Sequence, residues 1–75
     1  MIRARVEVGR HVESVAETHE GIELTGRIRL HPGRPVDVVT RPLGAPLIRR
    51  AVVSSWRVVA LGSAGPIYRG TCCWE

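Results

Sequence analysis

The most reactive side chains of this sequence are two adjacent cysteines, Cys72 and Cys73. Neighbouring thiols can act as a redox pair or bind a soft metal ion. On a β-strand, however, successive side chains point to opposite faces, so a disulfide between neighbours would need strained geometry. No other cysteine is present to complete a set of zinc ligands. We therefore expect two free thiols, one in the core and one exposed, and no metal site.

The histidines and carboxylates do not form a catalytic or metal-binding pattern. His11, His19 and His31 lie in three different segments, without the spacing of metal ligands. Asp37 is the only aspartate, and its position between two valines is typical of the solvent face of a strand. No Ser-His-Asp or Cys-His set can be assembled from these positions. We predict that the protein is not an enzyme and uses no cofactor.

Arginine supplies all of the positive side-chain charge. The sequence has eleven arginines and no lysine, against seven acidic residues, and its net charge is +4. The planar guanidinium group binds phosphate through two hydrogen bonds, so this composition raises the question of a nucleic-acid partner. The arginines alternate with apolar residues and do not cluster. This pattern favours a solvated exterior, and nucleic acid is not the expected partner.

Length and hydropathy indicate the size and location of the protein. Seventy-five residues are enough for one core, so residues 1–75 are expected to form a single domain. The sequence has no apolar run of eighteen residues, and charged residues interrupt its first twenty positions. We therefore expect no membrane span and no signal peptide, and we expect a cytoplasmic protein.

Alternation of apolar and polar residues predicts β-strands along most of the chain. The alternation is regular over residues 2–8 and 21–30, and further strands are predicted over residues 35–40, 48–61 and 67–74. Residues 11–18 alternate poorly, which is typical of a strand that carries a bulge or lies at a sheet edge.

Proline and glycine mark the connections between these strands. Pro32 and Gly33 predict a type II turn, and Pro42 with Pro46 predicts a hairpin loop over residues 41–46. No segment shows a helical period. The sequence therefore predicts an all-β fold, a small antiparallel β-barrel of five to six strands. The expected core includes Val6, Ile22, Leu24, Ile28 and Trp74.

Three stretches of the sequence resemble PilZ domains, small β-barrels best known as bacterial receptors of cyclic di-GMP. These stretches are Gly21-Ile22-Glu23-Leu24, Leu30-His31-Pro32-Gly33-Arg34-Pro35-Val36 and Tyr68-Arg69-Gly70-Thr71-Cys72-Cys73-Trp74-Glu75. The resemblance covers about residues 9–75 and implies a PilZ-like barrel. It rests on structural parts of the family's barrel, which carry no ligand chemistry.

The ligand-binding motifs of the family are missing or altered. An Arg-x-x-x-Arg segment is expected near the start, but Arg3, Arg5 and Arg10 are spaced by two and five positions. The Asp/Asn-x-Ser-x-x-Gly motif aligns with Ala16, Thr18 and Gly21, and an alanine side chain cannot hydrogen-bond guanine. We therefore do not expect cyclic di-GMP to bind in the family's manner. If it does bind, the resemblance points to Arg3, Arg5, Arg10, Thr18 and Gly21.

Together these patterns predict a non-catalytic, PilZ-like adaptor module of bacterial signalling that binds a protein partner or a second copy of itself. The predicted interaction surface comprises Val12 and Val15 on the poorly alternating strand and Leu43 and Leu47 in the 41–47 loop. Two alternatives remain open. One is a cyclic di-GMP receptor with an altered site, and the other is an arginine-rich nucleic-acid-binding β-barrel.

Overall fold

Six β-strands and one short 3-10 helix form the fold in the computed structural model, which describes residues 3–75. The strands are β1 (Ala4–Glu7), β2 (Val12–Glu17), β3 (Gly21–Gly26), β4 (Pro35–Thr40), β5 (Leu47–Gly62) and β6 (Gly65–Trp74), and the 3-10 helix is Pro42–Gly44. The all-β prediction is confirmed, although the predicted strand start at Ile2 lies outside the described residues. Within residues 3–75, no helix is long and apolar enough to cross a membrane.

The six strands form one sheet in the order β1-β4-β5-β6-β3-β2. Neighbouring strands are antiparallel except β1 and β4, which run parallel. An isolated bridge joins Val8, which follows β1, to Val12 at the start of β2, and the turn between them contains Gly9, whose φ is +96°. The six strands agree with the predicted five to six, but the prediction of an antiparallel barrel is wrong. The sheet is not closed into a barrel, and one of its strand pairs is parallel.

Inward-facing side chains from all six strands meet in one core. Burial of aliphatic side chains contributes roughly 1.5–3 kcal/mol each, so this cluster is the main source of stability. Val6, Ile22 and Leu24 are buried as predicted, whereas Ile28 and Trp74 are half-buried and pack against the cluster. The fully buried side chains are Val6, Val12, Ile22, Leu24, Val36, Val38, Val53 and Cys72.

Glycine and proline place the turns as the sequence predicts. Gly33 has a φ of +84°, and the Arg34 amide donates a hydrogen bond to the His31 carbonyl at 3.2 Å, as in a type II turn. The 41–46 loop joins β4 to β5 as a hairpin. β3 ends at Gly26 rather than at residue 30, and residues 27–32 leave the sheet and cover the core with Leu30.

β2 is an edge strand with a bulge, as its poor alternation predicts. It pairs with β3, and the register shifts between Ser14 and Ala16. A bulge and charged side chains discourage pairing with other chains, and this strand has both, since it carries Glu13 and Glu17.

β5 and β6 form a hairpin that is longer than the strands beside it. β4 pairs with β5 no further than Val52, and β3 pairs with β6 no further than Tyr68. Residues 58–67 therefore have their strand partners within the hairpin alone. We refer to residues 58–67 as the hairpin arm.

Candidate functional site

The inward-facing side of the sheet continues from the core onto the hairpin arm. On β6 the even-numbered residues share this side, because Cys72 and Gly70 are buried in the core and side chains alternate along a strand. Their partners on β5 add Val58, opposite Tyr68, and Leu61, opposite Pro66. In the described part of the chain this end is uncovered, since Val58 is 49% and Leu61 84% exposed.

The arm also lacks charge. Residues 58–68 form the longest stretch of the sequence without a charged residue, and their exposed side chains are mainly aliphatic. Contiguous exposed apolar surface in a globular protein marks a site of interaction. We therefore take the arm and its base as the candidate functional site.

Trp56 packs the base of the arm against the core. A Cβ on Gly70 would collide with the Trp56 ring, so this glycine allows the ring to lie on β6. The ring is stacked with that of Tyr68, with centroids 6.5 Å apart and planes inclined by 17°. The indole Nε1 donates a hydrogen bond to the Ile28 carbonyl at 3.0 Å. The arm thus has a packed base and an exposed tip.

A groove of about 490 Å³ lies between this base and residues 29–32, and we refer to it as the arm groove. Trp56, Val58 and Tyr68 provide its apolar lining on the arm side. Arg29 and Arg57 provide its charge, and no carboxylate lines it. A groove that sets apolar side chains beside positive charge is suited to a partner segment that carries both apolar and negatively charged side chains.

The edge of β5 beside the groove is free of strand partners. The Gly33 amide donates to the Val53 carbonyl at 2.7 Å, and the Val53 amide donates to the Arg34 carbonyl at 2.9 Å. Beyond Val53, within the described residues, β5 pairs with β6 alone. Backbone pairing along this edge of β5 therefore ends at Val53, where the arm groove begins.

Two of the residues aligned with the family's ligand motif have structural tasks in the turn between β2 and β3. The Thr18 hydroxyl accepts hydrogen bonds from the amides of Glu20 and Gly21, at 3.2 and 3.3 Å. Gly21 lies so close to β6 that a Cβ would collide with the Cys72 carbonyl. The close packing of the two strands therefore explains why position 21 is a glycine, and no ligand is needed to explain it.

The three arginines of the predicted ligand set do not line the cavity that Thr18 and Gly21 line. Arg3 donates to the carboxylates of Asp37 and Glu75, at 2.8 and 2.9 Å. The hydrogen bond to Asp37 raises the pKa of Arg3 above its ordinary value, so the guanidinium group stays charged.

Arg5 and Arg10 line one cavity of about 240 Å³, whereas Thr18 and Gly21 line another of about 220 Å³. Arg3 lines neither cavity. The structure therefore does not bring the five residues of the predicted ligand set into one pocket.

The four residues of the predicted interaction surface have different environments. The Val12 side chain is only 1% exposed and belongs to the core, so it cannot contact a partner. Val15, Leu43 and Leu47 are exposed. Leu43 is at the tip of the 41–47 loop, which precedes β5, whereas the arm is at the other end of that strand.

The two cysteines are free thiols, as predicted from their adjacency. Cys72 is buried and Cys73 is exposed. Burial, with a smaller contribution from the neighbouring Cys73, raises the pKa of the Cys72 thiol to about 11. Cys72 is therefore protonated at neutral pH and acts as a small core residue.

The arm was not identified from the sequence, although two signals point to it. The predicted strand over residues 48–61 is more than twice the usual length, so part of it must extend beyond its neighbours. The uncharged stretch 58–68 follows directly. Read together, these signals indicate an apolar hairpin that projects from a small sheet.

Comparison of the chain with family models, curated proteins and solved structures finds no match. Within residues 3–75, no three His, Cys, Asp or Glu side chains are grouped so that they could hold a metal ion. The geometry of the arm is therefore the main basis for a functional argument.

Proposed function

We propose that the protein is a non-catalytic protein-interaction module that engages its partner through the hairpin arm. The observation that carries this proposal is the uncovered inner face of the arm, where Val58 and Leu61 continue the core surface into solvent. A partner that covers this face would remove exposed aliphatic surface from water, which is a major driving force of protein association.

The composition of the arm favours a protein partner over a nucleic acid. Platforms for single-stranded nucleic acid use aromatic rings that are open to stack with bases. Here the Trp56 ring is stacked with Tyr68 and covers Gly70, and its N–H group is bonded to the Ile28 carbonyl. The exposed side chains at the tip are aliphatic, as Leu61 is.

The resemblance to PilZ domains supports a more specific proposal. We infer that the chain is a PilZ-like adaptor of bacterial cytoplasmic signalling that does not depend on cyclic di-GMP. The engagement of Thr18 within its own turn supports this inference, because its hydroxyl already accepts two backbone hydrogen bonds. In this proposal the partner surface is the arm, in place of the surface of Val12, Val15, Leu43 and Leu47 that the sequence predicts.

Two matched leucine variants test the proposed surface. Leu61→Asp places a charge on the arm, and Leu43→Asp places the same charge on the 41–47 loop, at a side chain that is also exposed. Chemical crosslinking of each immobilised variant in extract of the native host, followed by mass spectrometry, identifies the bound proteins. We expect a protein that is retained by the unmodified chain and by Leu43→Asp but lost with Leu61→Asp.

The reverse dependence would place the interaction surface on the loop and contradict the arm. Retention that is unaffected by Leu61→Asp would contradict it as well. Far-UV circular dichroism checks that both variants keep the β-sheet spectrum, so that a loss of binding is not a loss of folding.

A further inference from the structure

Resting on the proposed function, we infer that the partner docks as an extended segment that adds a strand to the free edge of β5 and alternates apolar with acidic residues. The arm groove is the place where this segment begins, and residues 54–62 of β5 are the edge along which it runs.

The backbone geometry supports strand addition at this edge. The hydrogen bonds of Val53 with Gly33 and Arg34 are the continuation of the ladder between β4 and β5. Past Val53, β5 has no strand partner on that side within the described residues, and residues 29–32 line the opposite wall of the arm groove. An extended segment that follows the line of β4 would therefore find unpaired amide and carbonyl groups on β5.

The side chains around the edge define the sequence of the segment. Successive residues of an added strand face opposite sides of the sheet. On the inner side the residues of the segment would contact Val58 and Leu61, so apolar side chains are favoured there. On the outer side they would meet Arg57, which lies opposite Arg69 on that face. Arg29 adds positive charge at the groove, so acidic residues are favoured at the alternate positions.

A second copy of the chain is a weaker match for this edge. The edge strand β2 carries Glu13 and Glu17 and is exposed beyond Val12, so its charge is complementary to that of the groove. However, the bulge between Ser14 and Ala16 interrupts its alternation. β5 has register shifts of its own, between Val53 and Ser55 and between Val58 and Ala60, and the shift within β2 would have to coincide with one of them, a constraint that a partner segment does not have.

A designed peptide tests the inference without knowledge of the natural partner. The probe is a fluorescein-labelled, end-blocked heptapeptide of alternating valine and glutamate, titrated with the full chain at about 150 mM salt. We expect saturable binding by fluorescence polarisation. An analogue with lysine in place of glutamate should bind at least about tenfold more weakly, because Arg29 and Arg57 repel it.

Backbone pairing is tested by two N-methylated peptides, one methylated on its valines and the other on its glutamates. In a strand these two sets of amides point to opposite edges, so strand addition predicts that one methylated peptide loses binding and the other keeps it. Equal binding of both would overturn strand addition.

The charge contact is tested by Arg57→Glu, with Arg41→Glu as a control in the 41–47 loop, which lies beyond the opposite end of β5. We expect Arg57→Glu to weaken peptide binding about tenfold and Arg41→Glu to change it less than about twofold. Equal effects would overturn the assigned site.

Three outcomes distinguish an added strand from other occupants of this site, and distinguish failure of this inference from failure of the proposed function. Tighter binding of a single-stranded oligothymidylate than of the peptide would overturn it in favour of a nucleic acid. If the free chain sediments as an oligomer and Glu13→Arg sediments as a monomer, the inference is overturned in favour of a second copy. A partner that depends on Leu61, combined with no binding of the peptide, would overturn this inference and leave the proposed function intact.

Discussion

The Thr18 hydroxyl lies 3.3 Å from the Gly21 amide and accepts its hydrogen bond, while the Thr18 amide donates to the Gly21 carbonyl at 2.9 Å. Two positions that align with a ligand motif are thus bonded to each other. The turn that they close joins β2 to β3, and its hydroxyl acceptor is satisfied by the backbone. The hydrogen bonds of Thr18 therefore stabilise the turn, and its hydroxyl is not free for a ligand.

Replacement of Thr18 by valine should therefore destabilise the protein. The loss of a hydroxyl that accepts two amide hydrogen bonds costs about 1 kcal/mol, and the variant should unfold at a lower urea concentration. Thr18→Ser keeps the hydroxyl and should be close to the unmodified protein. Tryptophan fluorescence in a urea titration measures both, and an unchanged midpoint for Thr18→Val would contradict the role of this turn.

Gly21→Ala should destabilise the protein by about 1–3 kcal/mol, because its Cβ would collide with the Cys72 carbonyl of the neighbouring strand. Gly62→Ala is the matched control within a strand. The nearest heavy atom to its Cβ would be the Gly65 carbonyl oxygen at 3.4 Å, which is an ordinary contact. We expect a change within about 0.5 kcal/mol for this control in the same urea titration. Equal stability of the two variants would mean that the close approach at Gly21 does not constrain the sheet.

Cyclic di-GMP should not bind more tightly than about 100 μM, a binding free energy of about 5.5 kcal/mol. The structure separates Thr18 and Gly21 from Arg5 and Arg10, and Arg3 is paired with two carboxylates. Isothermal titration calorimetry is the direct measurement. A micromolar dissociation constant would favour the altered receptor instead, and alanine variants of the three arginines would then show which of them contributes.

The two cysteines should react at very different rates. Cys73 is exposed, whereas Cys72 is buried and its pKa is raised to about 11. At pH 8 we expect one thiol per chain to react quickly with Ellman's reagent and two to react after unfolding in guanidinium. Cys73→Ala should abolish the fast reaction and Cys72→Ala should preserve it. A fast second thiol in the folded protein would mean that β6 opens readily.

The raised pKa of Cys72 also predicts a pH dependence of stability. The unfolded chain loses this proton near the ordinary value of about 9, whereas the folded protein keeps it up to about 11. The contribution of the neutral buried thiol is therefore fully present below pH 9 and is lost as the pH rises toward 11. Cys72→Ala should remove this part of the alkaline decline in the urea midpoint, and Cys73→Ala should retain the decline.

Local patterns in the sequence were enough to predict the strands and most of the turns. The alternation around Ile22 and Leu24 placed both side chains in the core, and Pro32 with Gly33 predicted the turn that the structure contains. These features depend on residues within a few positions of one another. They follow from side-chain alternation and from the φ angles that proline and glycine favour.

Long-range arrangement was decided by the tertiary structure. Alternation predicts which residues share a face, but it does not say which strands become neighbours, and so it could not reveal that β1 lies parallel to β4 or that the sheet stays open. Val12 was assigned to the surface because its strand alternates poorly, yet the bridge to Val8 brings it into the core. The hairpin arm exists because β4 and β3 end before β5 and β6 do, and this difference in length becomes visible only when the strands are paired.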